Sequence, residues 1–167
     1  MTRWLEVECV SFRRVIELHD YWQAKRAGRQ MPDRADMDPN ELKPLLPNIL
    51  IAEPSFDPFR IRYRLVGTRI ARVSTLDFTG RYLDDFLKPE FVGQWYSDYR
   101  ACYDLRAPVF GSSATPTRDG GIFTYEFGLF PLTNGGNHVA QFIAIEDFGE
   151  SEPISGRILD TVKYFDP

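Results

Sequence analysis

Few side chains in this sequence are of the kinds that perform chemistry, and their spacing says which chemistries to set aside. Histidine occurs at His19 and His138, and cysteine at Cys9 and Cys102. A metal centre needs several such ligands clustered at short spacing. These four lie on separate stretches with no second ligand at useful spacing, so no metal site is expected. No serine sits in a Gly-x-Ser-x-Gly elbow, so a nucleophile triad has no support. The glycines at Gly67, Gly80, Gly120 and Gly121 do not form a phosphate loop with its lysine. Asp84-Asp85 reads as an acidic pair that caps or solvates a short helix. No catalytic residue is expected, and the chain is expected not to be an enzyme.

Binding chemistry is better supplied. Tyr63, Leu65, Phe86, Trp95, Tyr99, Phe110, Tyr125 and Phe142 are large apolar or aromatic side chains that can converge in the fold. Either they fill a core, or they line a pocket for a small apolar or aromatic ligand. Arg69, Arg72 and Arg81 lie near the mouth expected for such a pocket. Turned inward, they would favour an anionic ligand group.

Periodicity locates the elements that must position these residues. Phe59, Ile61, Tyr63 and Leu65 alternate with Arg60, Arg62 and Arg64, the period of a strand with one wet face. The three arginines suit a sheet edge that resists pairing with strangers. Gly67-Thr68 ends the strand, with Thr68 able to cap the short helix carrying Ile70 and Val73. A second short helix follows Thr79-Gly80. Ser11 to Ala27 predicts a helix closed by Gly28, with a stripe of Phe12, Val15, Ile16, His19 and Trp22. Leu18 and Tyr21 widen that stripe. Asp38-Pro39 predicts a helix start, with Glu41 completing a capping box and Leu42, Leu45 and Leu46 on one face. Asn48 to Glu53 predicts a central strand. Lys88 to Leu105 predicts the longest helix of the second half, bounded by Pro89 and Pro108. Three strands then follow, over Val109 to Thr115, Ile122 to Leu132 and His138 to Phe148. Asp119-Gly120-Gly121 and Asn134-Gly135-Gly136-Asn137 supply the turns. Phe142 and Ala144 make the last strand apolar on a second face, so both faces of the sheet need a cover.

These stretches also carry a resemblance. The run RYRLVGTRI followed by TGRYLDD resembles the PAS-5 family of bacterial PAS domains. Upstream, DYWQAKRAGRQMPDRADMDPNELKPLLPNILIAEP resembles the opening of the same family. The likeness runs from about Asp20 to Phe148. It implies an α+β PAS fold: a five-stranded antiparallel sheet, helices on its concave face, and a small cavity between that face and the long helix. A haem-binding PAS domain would want an axial histidine facing the cavity, and His138 opens a strand beside a wet turn. Flavin-type PAS domains place a reactive cysteine in an Asn-Cys-Arg motif, whereas Cys102 sits in Arg-Ala-Cys-Tyr. Haem and covalent flavin are both disfavoured.

Composition bounds what remains. The chain has 167 residues and a net charge of -4, so no basic field argues for nucleic acid. Two distant cysteines suit a reducing compartment, and no apolar run approaches the ~20 residues of a membrane helix. A cytoplasmic protein with no membrane insertion is expected. The expected organisation is an N-terminal helix over residues 1–30, a PAS core over 31–149 and a helical tail over 150–167, with Ile154, Ile158, Val162 and Phe165 at helical spacing. The expected function is a stand-alone PAS sensor that binds a small ligand or a signalling-protein partner and relays through protein contacts. The stripe of the first helix is wider than one contact surface requires. A homodimer is therefore expected, with Phe12, Val15, Ile16 and Trp22 at its interface. Two alternatives stay open. One is a small cone-shaped α+β enzyme, a lyase or isomerase, which would need an inward histidine–aspartate pair. The other is a purely structural interaction protein with a filled core.

Overall fold

Among the described residues, six antiparallel strands form the sheet, and each face is covered by helix. The computed structural model describes residues 1–117, 119–149 and 161–163. The strands are β1 (Thr2–Trp4), β2 (Ile49–Ser55), β3 (Arg60–Val66), β4 (Val109–Pro116), β5 (Ile122–Leu132) and β6 (Gln141–Asp147). Their order across the sheet is β1-β4-β5-β6-β2-β3. β2 and β3 form one hairpin, and β4, β5 and β6 form a meander. The expectation of an antiparallel α+β sheet therefore holds, with six strands instead of five. The added strand is β1, which pairs Thr2–Trp4 with Phe110–Ser112 of β4.

The outer face is covered by α1 (Arg13–Arg26). Its buried stripe is Val15, Leu18 and Trp22, three residues on one side of a helix at i, i+3 and i+7. The Trp22 indole N–H donates to the Pro131 carbonyl of β5 at 3.0 Å. The helix has no side-chain N-cap of its own. Instead the sheet supplies one. Glu126 of β5 accepts from the Ser11 and Phe12 backbone N–H groups, each at 2.8 Å. Asp147 of β6 accepts from the Arg14 backbone N–H at 3.0 Å and from its guanidinium at 2.9 Å. Two carboxylates thus meet the unsatisfied donors and positive end of the helix. Its C-cap is Ala27, in the left-handed region at φ 48°.

The inner face is covered by α2 (Thr68–Ser74), α3 (Leu83–Phe86) and α4 (Pro89–Leu105). Gly67, not Thr68, caps α2. A Cβ at Gly67 would run into the Pro47 carbonyl, so glycine is what allows the strand to turn into the helix here. The predicted helix after Asp38 is not one. Asp38 accepts from Asn40 N–H, the chain runs through turns, and only Leu46–Asn48 closes as a single 3-10 turn before β2. The capping box forms earlier, between Asp33 and Asp36. Glu41 instead binds Lys25 at 2.6 Å and the Tyr21 hydroxyl at 2.7 Å, which ties that segment to α1.

β3 is an edge strand, as its arginines suggested. The edge is not left open: Tyr63 N–H donates to Arg81 at 3.0 Å and Gly80 N–H donates to Tyr63 at 2.7 Å. Arg60 reaches Asp84 and Asp85 at 2.7 and 3.1 Å and lies over the Tyr82 ring at 3.8 Å. The acidic pair is thus an anchor for β3. Most of the expected C-terminal helix lies outside the described residues. Of that segment, Val162 makes a bridge to Leu87.

Candidate functional site

The sheet sorts its side chains by strand parity. Phe142, Ala144 and Glu146 of β6 face inward, as do Tyr125, Phe127 and Leu129 of β5 and Ser113 and Thr115 of β4, because these residues pair across neighbouring strands. Between this face and the inner helices lies a cavity of about 230 Å³. Its sheet wall carries Tyr63, Ser113, Thr115, Tyr125 and Glu146. Its helix wall carries Ile70 and Ser74 of α2, Phe86 of α3, and Phe91, Gln94 and Trp95 of α4. Glu90 stands exposed at the rim, and Met1 and Val162 also border the space.

Rings support one side of it. Tyr63 packs edge-on to Phe78 at 4.8 Å, and Phe78 stacks on Phe86 at 4.2 Å. Trp95 lies 4.8 Å from Phe127. Behind the wall, the Tyr99 hydroxyl donates to the Tyr63 hydroxyl at 3.3 Å, and Tyr99 meets Phe142 at 5.1 Å. Burial pushes the Tyr63, Tyr99 and Tyr125 hydroxyls above their ordinary range, so all three stay neutral. The Ser113 and Thr115 hydroxyls lie 3.1 Å apart.

Glu146 is different in kind. It is half-buried on the sheet wall. Its backbone carbonyl accepts from Asn48 at 2.6 Å, but among the described residues its carboxylate has no hydrogen bond or ion pair. No arginine, lysine or histidine lines the cavity among the described residues. Desolvation alone pushes its pKa from 4.5 up to about 7. This residue was not among those singled out by sequence. Its signal was present: it continues the Phe142, Ala144 alternation by two more positions.

Of the eight expected pocket residues, Tyr63, Phe86, Trp95 and Tyr125 line the cavity. Tyr99 and Phe142 are buried behind it. Phe110 and Leu65 require correction. Phe110 pairs with Gly128 on the outer face and packs against His19 and Phe130 at 5.6 and 5.7 Å. Leu65 is 41% exposed. The register shifts at Ile51/Ala52, so Tyr63 pairs with Ala52 but Leu65 pairs with Ile51. One extra residue in β3 sends Leu65 to the other face.

The expected anion contacts also need correction, since none of Arg69, Arg72 and Arg81 lines the cavity. Arg69 turns to the Gly149 carbonyl at 2.8 Å and lies over Phe148. At the expected dimer interface, Val15 is 0% and Trp22 1% exposed, buried against the chain's own sheet. They are therefore not available to a second chain, which leaves Phe12 and Ile16, both half-buried.

The remaining chemistry-bearing groups stay outside the cavity. Cys102 is buried with its thiol directed to the Leu129 carbonyl at 3.5 Å, and burial pushes that thiol up. It does not line the cavity, so it does not fit the reactive cysteine of a covalent flavin site. His138 is exposed and His19 lies on the outer face, so neither fits an axial haem ligand there. Among the described residues, no three metal-ligating side chains lie together. Nor is any described helix long and apolar enough to cross a membrane. A missed structural contact lies opposite: β1 brings Arg3 to the buried Asp98 of α4, which Gln94 also contacts at 3.2 Å.

Comparison with known proteins gives one family. The family model described as a PAS domain, PAS_5, matches residues 11–145. No curated protein matches the chain. Among solved structures, similarity is found to a light-oxygen-voltage domain studied with a flavin analogue, at 15% identity and a TM-score of 0.49, covering 66% of this chain and 84% of that one. The dark structure of the Aureochrome1 light-oxygen-voltage photoreceptor gives 12% identity, a TM-score of 0.49, and coverages of 66% and 81%. The PAS domain of an HTR-like protein from Haloarcula marismortui gives 20% identity, a TM-score of 0.40, and coverages of 64% and 88%.

Proposed function

The chain belongs to the PAS_5 family of PAS domains, and from that premise we propose that it is a sensor of a small, non-covalently bound ligand that signals through protein contacts. The observation that carries this reading is the cavity of about 230 Å³ between the inner sheet face and α4. A core filled by its own rings would leave voids no larger than a water or so. This one is walled by aromatic surface with a few hydroxyls and two acids, Glu146 and, at the rim, Glu90, the composition of a ligand site. Its volume falls below the ~300–1,000 Å³ typical of drug-sized ligands, so the occupant is of single-ring size. The enzyme alternative lacks its inward histidine–aspartate pair among the described residues, since no histidine lines the cavity.

Two finer parts complete the reading. Self-association rests on Phe12 and Ile16 at the flank of α1. A reducing, cytoplasmic setting rests on two unpaired thiols far apart in the fold. The test of the main reading is native mass spectrometry of freshly purified protein, followed by thermal-shift screening of single-ring metabolites. A retained or stabilising small molecule whose binding is lost in Trp95→Ala supports it. A chain that binds nothing of this size, and whose cavity admits no small probe, overturns it.

A further inference from the structure

Among the described residues, the cavity holds an acid that no cationic side chain meets. Glu146 reaches it from β6, in the middle of the sheet wall. The groups that face it are neutral: Tyr63 from β3, Tyr125 from β5, Ser113 and Thr115 from β4, Ser74 from α2, and Gln94 and Trp95 from α4. Tyr99 stands one layer behind, with its hydroxyl on Tyr63. Among the described residues, the other charged side chain in the lining is a second acid, Glu90 of α4, exposed at the rim. Met1, which carries the α-amino group, also borders the space; the charged side chains of the described lining are both negative, and a low-dielectric mouth lined by side chains of one sign focuses a field that attracts the opposite ion. Ring faces around the acid add to this, because a cation is drawn to the face of tryptophan or tyrosine.

We infer that the cavity takes a small organic cation, an amine joined to an apolar or aromatic body, with Glu146 as its counter-ion and the rings of Tyr63, Trp95 and Tyr125 around the body. The inference rests on the pocket reading above and specifies the ligand class. It reverses the charge expected from Arg69, Arg72 and Arg81, none of which lines the space. An ammonium group supplies the donors that the Glu146 carboxylate lacks, and such charge-assisted bonds are the stronger kind. Burial raises the Glu146 carboxyl toward neutrality in the empty cavity. A bound cation reverses that pressure, so cation binding and loss of the Glu146 proton are linked.

The test uses three probes of one shape and different charge: benzylamine, benzyl alcohol and benzoate. Each is titrated into the full chain and into Glu146→Gln, read by calorimetry and by tryptophan fluorescence. Benzylamine is expected to bind the native protein about tenfold or more tightly than the other two. Glu146→Gln is expected to remove that preference while still binding benzyl alcohol. The native protein should also lose about tenfold in benzylamine affinity from pH 8 to pH 6, since a carboxyl with a pKa of about 7 is about nine-tenths ionised at the first and one-tenth at the second. This pH series stands on the native protein alone, whatever the variant's stability. Benzyl alcohol or benzoate binding as tightly as benzylamine, or a preference that survives Glu146→Gln, overturns the amine assignment and leaves the pocket reading standing. Binding of none of the three overturns both.

Discussion

Glu146→Gln is also a test that needs no ligand, because an acid held without a partner weakens the fold in a pH-dependent way. Its pKa moves from an ordinary 4.5 to about 7 through desolvation alone. Between those two values the folded chain keeps a proton that the unfolded chain has lost. Raising the pH through this window therefore favours the unfolded state, and stability falls as pH rises, then levels off above about 7. At about 1.4 kcal/mol per pH unit the full interval is worth about 3 kcal/mol, and water entering the cavity reduces this to about 2–3 kcal/mol. Glutamine has nearly the same shape and does not titrate, so the variant escapes the loss. The assay is urea unfolding of both proteins at half-unit steps from pH 4.5 to pH 8.5. Asp33, Asp36, Asp77 and Asp84, whose pKa values are lowered in the fold, titrate in both proteins and cancel in the difference. The variant should match the native protein near pH 4.5. It should exceed it by about 2–3 kcal/mol above pH 7.5, or roughly 4 to 12 °C in melting temperature. A difference that stays flat with pH, or a native protein that gains on the variant as pH rises, refutes the reasoning.

Three further outcomes follow from contacts away from the cavity. Leu18→Ala empties a fully buried site between α1 and the sheet and should cost about 2–5 kcal/mol in urea unfolding; less than about 1 kcal/mol would show that α1 is loosely held. Gly67→Ala drives a methyl group into the Pro47 carbonyl and should cost about 1–3 kcal/mol, with alanine also the poorer N-cap; a neutral result would mean that the Pro47 turn gives way freely. In native protein one thiol should react with a disulfide reagent, since Cys9 is exposed while Cys102 is buried with its thiol pushed up, and the second should appear only in denaturant.

How much of this was legible in the sequence depended on the range of the interaction that decided each feature. β5 was expected over Ile122 to Leu132 and forms over those residues, because eleven residues of patterned strand between turn signals leave little choice. α4 was bounded by its own prolines. β1 escaped notice because Thr2–Trp4 is too short to show a period and becomes a strand only by pairing with β4. The caps of α1 lie more than a hundred residues away, on Glu126 and Asp147, so no local pattern records them. Phe110 was expected in the pocket and lies on the outer face, since Val109 and Phe110 are both apolar in a strand buried on both sides and alternation does not choose between them. Leu65 had the right parity and the wrong face, because one bulge resets the count. Glu146 was the reverse case. The alternation that placed Phe142 and Ala144 also placed it, and attention to apolar residues passed over the acid among them.

The comparison that gives Glu146 its weight lies within this same fold. Other carboxylates taken out of water here are each met by donors. Asp98 is fully buried and receives Arg3 and Gln94. Asp147 receives the Arg14 guanidinium and two backbone N–H groups, from Arg14 and Gly149. Glu126 receives two N–H groups at the start of α1. The last of these lies on β5, one residue from the partner of Glu146 in the ladder, yet its side chain passes to the opposite face. Among the described residues, acids on the outer face and against α4 are satisfied, and one is left unsatisfied on the face that has a cavity. Leaving a buried polar group unpaired costs stability, and a leucine or glutamine at this position would relieve it. A lone charge facing an open space beside neutral hydroxyls and ring faces is what a site looks like before its ligand supplies the missing partner. The structural reading of the same residue, as a tolerated defect, predicts the same pH-dependent stability but no preference among probes of equal shape. Charge selectivity is therefore the measurement that separates a defect from a receptor.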